Sequence, residues 1–131
     1  MAKSENKKFK KPSKSKLGTE LYPLRRKIEN YFFRVELWDY IAKEKFEMAQ
    51  SHHLSKVDGV IVLFDVTNRD SYASVHDHCY FVRTYGTEKC PIMILGNKID
   101  LDKKRKVSRE EAERLSFSKL ALYREISAKK K

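Results

Sequence analysis

Glycine and cysteine are scarce in this chain, and the scarcity of each excludes a class of site. Two cysteines, Cys79 and Cys90, in 131 residues form no disulfide framework and no zinc-type spacing, which favours a reducing cytosolic or nuclear compartment. The four glycines, at positions 18, 59, 86 and 96, are followed by Thr, Val, Thr and Asn. Since no Gly-Lys pair occurs, these residues contain no G-x-x-x-x-G-K-[ST] loop to hold phosphates.

Long apolar runs and targeting signals are missing as well. No stretch approaches the roughly 20 apolar residues of a membrane-spanning helix. The lysine-rich N-terminus has no apolar segment of a secretory signal behind it, and the C-terminus carries no lipidation box. We therefore expect no membrane span and no lipid anchor in this chain.

Positive charge is abundant, with 29 basic against 18 acidic residues and a formal net charge of +11. Part of the excess lies in blocks at residues 3–16, Lys103–Lys106 and Lys129–Lys131. Such charge attracts anionic partners, so a basic nucleic-acid binder is one hypothesis, although no aromatic stacking platform accompanies the lysines. We predict a basic flexible tail over residues 1–16 and one partial domain over residues 17–131.

Alternating strand and helix patterns predict an α/β fold. Apolar residues on either side of Glu29-Asn30 predict a hairpin, and Pro23 places its first strand at a sheet edge. The apolar run from Val57 to Val66 predicts a strand buried on both faces. Apolar residues then recur at helical spacing up to Gly86. That stripe consists of Tyr72, Val75, Cys79 and Val82.

The second half of the chain continues the alternation. The apolar run after Cys90 predicts a buried parallel strand. Ser108-Arg-Glu-Glu111 is a capping box that predicts a helix from Arg109 to Phe117, with Val107 packing on Ala112. Residues 120–126 predict a last strand. Together these patterns predict a mainly parallel sheet with an antiparallel edge hairpin.

Three polar residues at the end of the strand after Cys90 form a guanine-reading set. Asn97, Lys98 and Asp100 follow this strand at the position where open α/β sheets bind ligands. A carboxylate can accept from the ring N–H and exocyclic amine of guanine, an amide can bond the opposite edge, and a lysine stem can cover the base. Adenine offers no such donor pair. The alternative is that these are ordinary polar residues of a loop.

These residues resemble the Ras superfamily of small GTPases. The segment Trp38–Phe46 resembles the second switch motif W-D-T-A-G-Q-E-[KR]-F, and Phe64–Tyr72 is similar to the family's buried strand and following helix start. Asn97–Asp100 and Ser127–Lys129 resemble its two base-recognition motifs. The resemblance covers roughly residues 7–129.

Within the superfamily, two branches share features with this chain. Leu17–Leu24 and Phe64–Asn68 look closest to Ran, whereas Val107–Glu111 looks more like Rab. The resemblance implies an incomplete Ras-like P-loop NTPase fold that lacks the first strand, phosphate loop, first helix and last helix, so that the chain is truncated at both ends. It also implies effectors or transport factors as partners, a role in nucleocytoplasmic or protein transport, and a location in the nucleus and/or cytoplasm.

The resemblance assigns roles at a guanine-binding site. It implies that Asp100 accepts from guanine N1 and N2, Asn97 bonds the opposite edge, and Lys98 lies along the base and ribose. The backbone N–H of Ala128 would meet O6. The full implied set is Asn97, Lys98, Asp100, Ser127, Ala128 and Lys129.

The phosphate and switch positions depart from the family. Asp39 would hold a water on the magnesium ion, but Lys16 replaces the magnesium-binding threonine, and an ammonium cannot bind a cation. Lys43 replaces the catalytic glutamine and Ala42 the switch glycine, so we predict no catalytic residue, no direct metal ligand and no efficient GTP hydrolysis.

The missing phosphate loop sets the expected affinity for GTP or GDP with Mg²⁺. Four lost charge-assisted hydrogen bonds, at about 1.5–3 kcal/mol each, would weaken binding by roughly four to eight decades. We therefore expect nucleotide binding to be weak or absent. The alternative function is a pseudo-GTPase module that binds proteins without nucleotide.

Overall fold

The computed structural model describes residues 19–40 and 52–130, which belong to two separate compact units, Met1–Glu47 and Met48–Lys131. The predicted tail over residues 1–16 and its boundary lie outside the described residues, so both stay predictions.

The described part of the first unit is a β-hairpin. Strands β1 (Thr19–Ile28) and β2 (Tyr31–Tyr40) pair antiparallel, with Ile28 opposite Tyr31. Glu29 has a positive φ of 54° in the two-residue turn, a backbone conformation common in tight hairpin turns. The predicted hairpin at Glu29-Asn30 is confirmed, and both strands are longer than the sequence pattern suggests.

The second unit is built on a three-stranded parallel sheet with strand order β3-β4-β5. The strands are β3 (Val60–Asp65), β4 (Ile92–Asn97) and β5 (Leu122–Glu125). This sheet confirms the predicted parallel α/β architecture.

Two α-helices and a 3₁₀ segment connect these strands. Helix α1 (Arg69–Tyr85) joins β3 to β4, and the 3₁₀ segment (Ile99–Lys104) and helix α2 (Arg109–Ser118) lie between β4 and β5. Residues 52–54 are helical and precede β3. The lengths of these connections suit parallel strands, which cannot be joined by a tight turn.

The helix ends follow the capping signals in the sequence. Ser108 accepts a hydrogen bond from the Glu111 N–H at 3.2 Å, and the Glu111 carboxylate accepts from the Ser108 N–H at 3.3 Å. This capping box satisfies N–H groups that the first turn of α2 cannot pair internally. The N–H of Gly86 donates to the Val82 carbonyl at 2.7 Å and closes α1 where predicted.

One face of the sheet packs against the helices and forms the core. The stripe predicted on α1 contributes three buried residues to it, and removal of their apolar surface from water stabilises the unit. The largest fully buried apolar side chains are Ile94, Val66, Val75 and Val107.

The other face of the sheet is exposed at β3, which contradicts the predicted burial of this strand on both faces. Val62 and Phe64 are 5% and 3% exposed, but Ile61 and Leu63 are 50% and 56% exposed. Leu122 of β5, on the same side as Ile61, is also exposed. The prediction was wrong because a continuous apolar run does not reveal which layers of the fold are present, and the described helices contribute buried residues to one face alone.

A close contact at the end of β4 explains Gly96. A Cβ atom at this position would lie 2.6 Å from the Tyr123 hydroxyl oxygen and 3.0 Å from Val66 Cγ1. Only glycine lets Tyr123 pass so close to the backbone of β4. Gly96 therefore leaves room for the Tyr123 hydroxyl beside β4, directly before Asn97.

Candidate functional site

Strands β4 and β5 bring the two predicted guanine-reading segments together. Asn97 is the last residue of β4, and Ser127–Lys129 follow β5. The Ile126 N–H donates to the Gly96 carbonyl at 2.8 Å, and the Ile99 N–H donates to the Ile126 carbonyl at 3.3 Å. Backbone hydrogen bonds thus hold the two loops side by side at the carboxyl end of the sheet.

Asn97 and Ala128 are in direct contact across these loops. The Ala128 backbone N–H, predicted to meet guanine O6, donates to Asn97 Oδ1 at 3.0 Å. The Asn97 amide also carries an NH₂ group with two donors of its own. The Ala128 N–H is therefore paired with Asn97 in this structure, and the Asn97 NH₂ group supplies the donors beside both loops.

Asp100 is held by the loop after β5. The Ser127 hydroxyl donates to Asp100 Oδ1 at 2.7 Å, and the Lys130 N–H donates to Ser127 Oγ at 3.0 Å. The hydrogen bond from Ser127, assisted by the charges of Lys129 and Lys130, lowers the pKa of Asp100. The carboxylate is therefore ionised at neutral pH and can only accept hydrogen bonds, which suits the two donors of guanine.

Lys98 follows β4, and its side chain contacts a carboxylate at the end of β3 that was not among the predicted site residues. Its backbone is left-handed, with φ 69° and ψ 33°, and its Nζ lies 2.7 Å from Asp65 Oδ2 at the end of β3. Burial alone would raise the pKa of Asp65, but hydrogen bonds from Lys98 and Thr67 keep it below its usual range. The available signal was the Asp65-Val-Thr67 spacing, which is typical of a side chain that bonds the backbone two residues on.

A second cluster that the sequence did not predict connects the end of the 3₁₀ segment to the end of β5. Arg105 follows the 3₁₀ segment and forms a two-pronged ion pair with Glu125 at the end of β5, with Nη1 3.2 Å from Oε1. The Tyr123 hydroxyl donates to the same carboxylate at 2.7 Å. In the sequence Arg105 belongs to a basic block, and only the fold reveals its partner 20 residues away.

All four predicted switch and phosphate positions belong to the first unit. Asp39 lies in β2, opposite Glu20, in the first unit. Lys16, Ala42 and Lys43 lie outside the described residues. The roles predicted for these four positions therefore stay predictions.

Metal and membrane features are absent from the part of the chain that the structure describes. Within residues 19–40 and 52–130, no group of three or more His, Cys, Asp or Glu side chains could hold a metal ion. Within the same ranges, no helix has the length and apolar character needed to cross a bilayer.

Comparison with known families agrees with this geometry. The family model described as "Ras family" matches residues 1–131, the full chain. The chain belongs to the Ras family. Its fold is accordingly a partial Ras-like α/β fold, with a parallel sheet and an antiparallel hairpin.

Several curated relatives of this Ras-family chain are Rab proteins. It is 30% identical to Ras-related protein Rab-3 of Caenorhabditis elegans over 73% of the chain and 44% of the relative. It is 30% identical to Ras-related protein RABC2b of Arabidopsis thaliana over 86% of the chain and 56% of the relative. Human EF-hand calcium-binding domain-containing protein 4B is 32% identical over 77% of the chain and 14% of the relative. The chain thus spans about half the length of such relatives, or less.

These relatives support Rab-like features, while closeness to Ran is not shown. Ras and Rab proteins generally bind GTP or GDP with Mg²⁺, and Rab-type GTPases generally bind effectors.

Proposed function

We propose that the loops after β4 and β5 bind the base of a guanine nucleotide, as the base-recognition part of a Rab-type small GTPase. The observation that carries this proposal is the 2.7 Å hydrogen bond from Ser127 to Asp100, which fixes an ionised acceptor beside the second loop. Asp100 accepts from N1–H and the 2-amino group of guanine. Asn97 binds the O6 and N7 edge through its NH₂ group, and the Ala128 N–H exchanges its Asn97 partner for O6 when the base binds.

The same chemistry rejects adenine. Adenine has no N1–H and no 2-amino group, so the Asp100 carboxylate would face an acceptor and lose two charge-assisted hydrogen bonds. At about 1.5–3 kcal/mol each, these bonds would discriminate guanine from adenine by roughly two to four decades.

Phosphate binding and hydrolysis are expected to be weak in these 131 residues. They contain no Gly-Lys pair, and Lys43 stands where the resemblance expects the glutamine that orients the attacking water. We therefore propose base recognition without efficient GTP turnover.

The test is a titration of the 131-residue chain with GDP, IDP and ADP, observed by saturation-transfer NMR, which detects weak ligands. We expect GDP to bind more tightly than IDP, which lacks the 2-amino group, and ADP to bind least. Equal binding of ADP and GDP would overturn the proposal. No binding of GDP would favour the pseudo-GTPase module, and salt-sensitive binding of DNA or RNA would favour the nucleic-acid binder.

Membership of the Ras family also supports a proposal about partners and location. The Rab relatives favour effector binding of the Rab type, and the Ran-type role in nucleocytoplasmic transport stays a prediction from sequence. We propose a location in the nucleus and/or cytoplasm. Microscopy of the tagged chain would test it.

A further inference from the structure

A carboxylate outside the predicted base-reading set holds one member of that set. Asp65 ends β3 directly opposite Asn97 of β4, so Lys98 begins one residue beyond the paired strands. The left-handed backbone of Lys98 turns the chain at this point. Its side chain then reaches the end of β3, where Nζ lies 2.7 Å from Asp65 Oδ2.

Asp65 is oriented by its own turn. Its Oδ1 accepts from the Thr67 N–H at 2.8 Å and from the Thr67 hydroxyl at 2.6 Å. Its backbone N–H donates to Ser71 Oγ at 3.0 Å. The loop from β3 to α1 therefore points Oδ2 toward Lys98.

We propose that Asp65 is a positioning residue for guanine nucleotides, because it holds the Lys98 side chain stretched between the ends of β4 and β3. In that arrangement the four methylene groups of Lys98 present an apolar surface to the face of the base. The inference rests on the proposed function and adds a residue to it. A flexible side chain loses rotamer freedom on binding, and a side chain held in advance loses less.

The Lys98–Asp65 ion pair should contribute little to the free energy of unfolding. Lys98 is half-exposed, and exposed ion pairs contribute little to stability because water screens them. An asparagine at position 65 retains an oxygen that can accept from Thr67, so it keeps the turn and removes only the charge that faces Lys98. The effect of Asp65→Asn is therefore expected in ligand binding and in Lys98 itself.

The test compares Asp65→Asn with Asp77→Asn, which removes an exposed carboxylate from α1. Lys98 is acylated by an amine-reactive reagent without nucleotide, with Lys129 as internal standard, and the rate is read by peptide mass spectrometry. Asp65→Asn should speed Lys98 acylation, because the amine is then no longer held against a carboxylate oxygen at 2.7 Å. It should also weaken GDP binding by roughly two- to tenfold with only a small change in the unfolding midpoint, and Asp65→Glu should restore part of the affinity.

The outcomes separate this inference from the proposed function. Unchanged Lys98 acylation in Asp65→Asn, or equal GDP affinity of the Asp65 and Asp77 variants, overturns the role of Asp65 alone. No GDP binding by the unmodified chain overturns the proposed function and the role of Asp65 with it.

Discussion

Asp100 carries the largest share of base selectivity in the proposed site, because its charge and its direction are both fixed by neighbours. Ser127 occupies one lone pair of Oδ1, and the remaining lone pairs on both oxygens are acceptors. Lys129 and Lys130 add positive charge that keeps the carboxylate ionised. A ligand with two adjacent N–H donors matches this group, and a ligand with an acceptor there is repelled.

Replacing Asp100 by asparagine should therefore change which base is preferred. The amide keeps one acceptor and adds an NH₂ donor, which would face the 2-amino group of guanine. We expect GDP affinity to fall roughly 10- to 100-fold and xanthosine diphosphate, which has an oxygen at that position, to gain relative to GDP. Competition titrations measure both effects. Asp102→Asn, an exposed position in the 3₁₀ segment, should leave the preference unchanged, and an identical response of the two variants would refute this role.

The sequence identified candidate residues within each loop but missed contacts between distant ones. Asn97, Lys98 and Asp100 are separated by fixed short spacings, so their chemistry can be judged from the sequence itself. The partner of Lys98 is Asp65, 33 residues earlier in the chain. That contact depends on the register of β3 against β4, which no spacing within one segment determines.

At the scale of elements, the clearest predictions were those with local signals. The capping box at Ser108–Glu111 and the turn at Glu29-Asn30 are specified by neighbouring residues, and both are confirmed. Burial of β3 was wrong because burial depends on which layers cover a strand. Arg105 was likewise recognised only as part of a basic block, although Glu125 of β5 binds it.

The Arg105–Glu125 pair links two elements and should make stability depend on pH. Burial alone would raise the pKa of Glu125, but the hydrogen bonds from Arg105 and Tyr123 outweigh it, so the pKa lies below its usual range. A carboxyl whose pKa is lower in the folded state stabilises that state above its unfolded pKa, about 4.3. This contribution is lost as the pH falls through the folded pKa. Acidification below about pH 4.3 should therefore reduce the free energy of unfolding.

Urea unfolding of Glu125→Gln between pH 3 and pH 7 tests this link. The Glu125 side chain is 8% exposed, so loss of its charge should lower the free energy of unfolding at pH 7 by about 1–3 kcal/mol. The variant should also lose less stability in acid than the unmodified chain. Some acid loss should remain, because Asp65 and Asp100 also have lowered pKa values. The matched change at exposed Glu88 should have neither effect, and an undiminished acid loss in Glu125→Gln would exclude the link.

At the scale of the whole molecule, the described second unit has one packed face and one open face on its sheet. The packed face joins both helices in one core, and the loops of the candidate site extend from the end of this sheet. The open face carries Ile61, Leu63 and Leu122, all at least half exposed. The proposed base-binding loops therefore extend from a sheet that has its buried core on one side.

Because of this asymmetry, similar truncations on the two faces should lower the free energy of unfolding by very different amounts. Ile94→Ala removes apolar volume from a side chain that is 1% exposed, and we expect a loss of about 2–5 kcal/mol in the free energy of unfolding. Leu63→Ala truncates a side chain already in contact with water, so its loss should stay below about 1 kcal/mol. Urea denaturation of both variants of the 131-residue chain measures the difference. Equal losses would mean that Leu63 is covered in solution, which would restore the two-sided burial that the apolar run of β3 predicts.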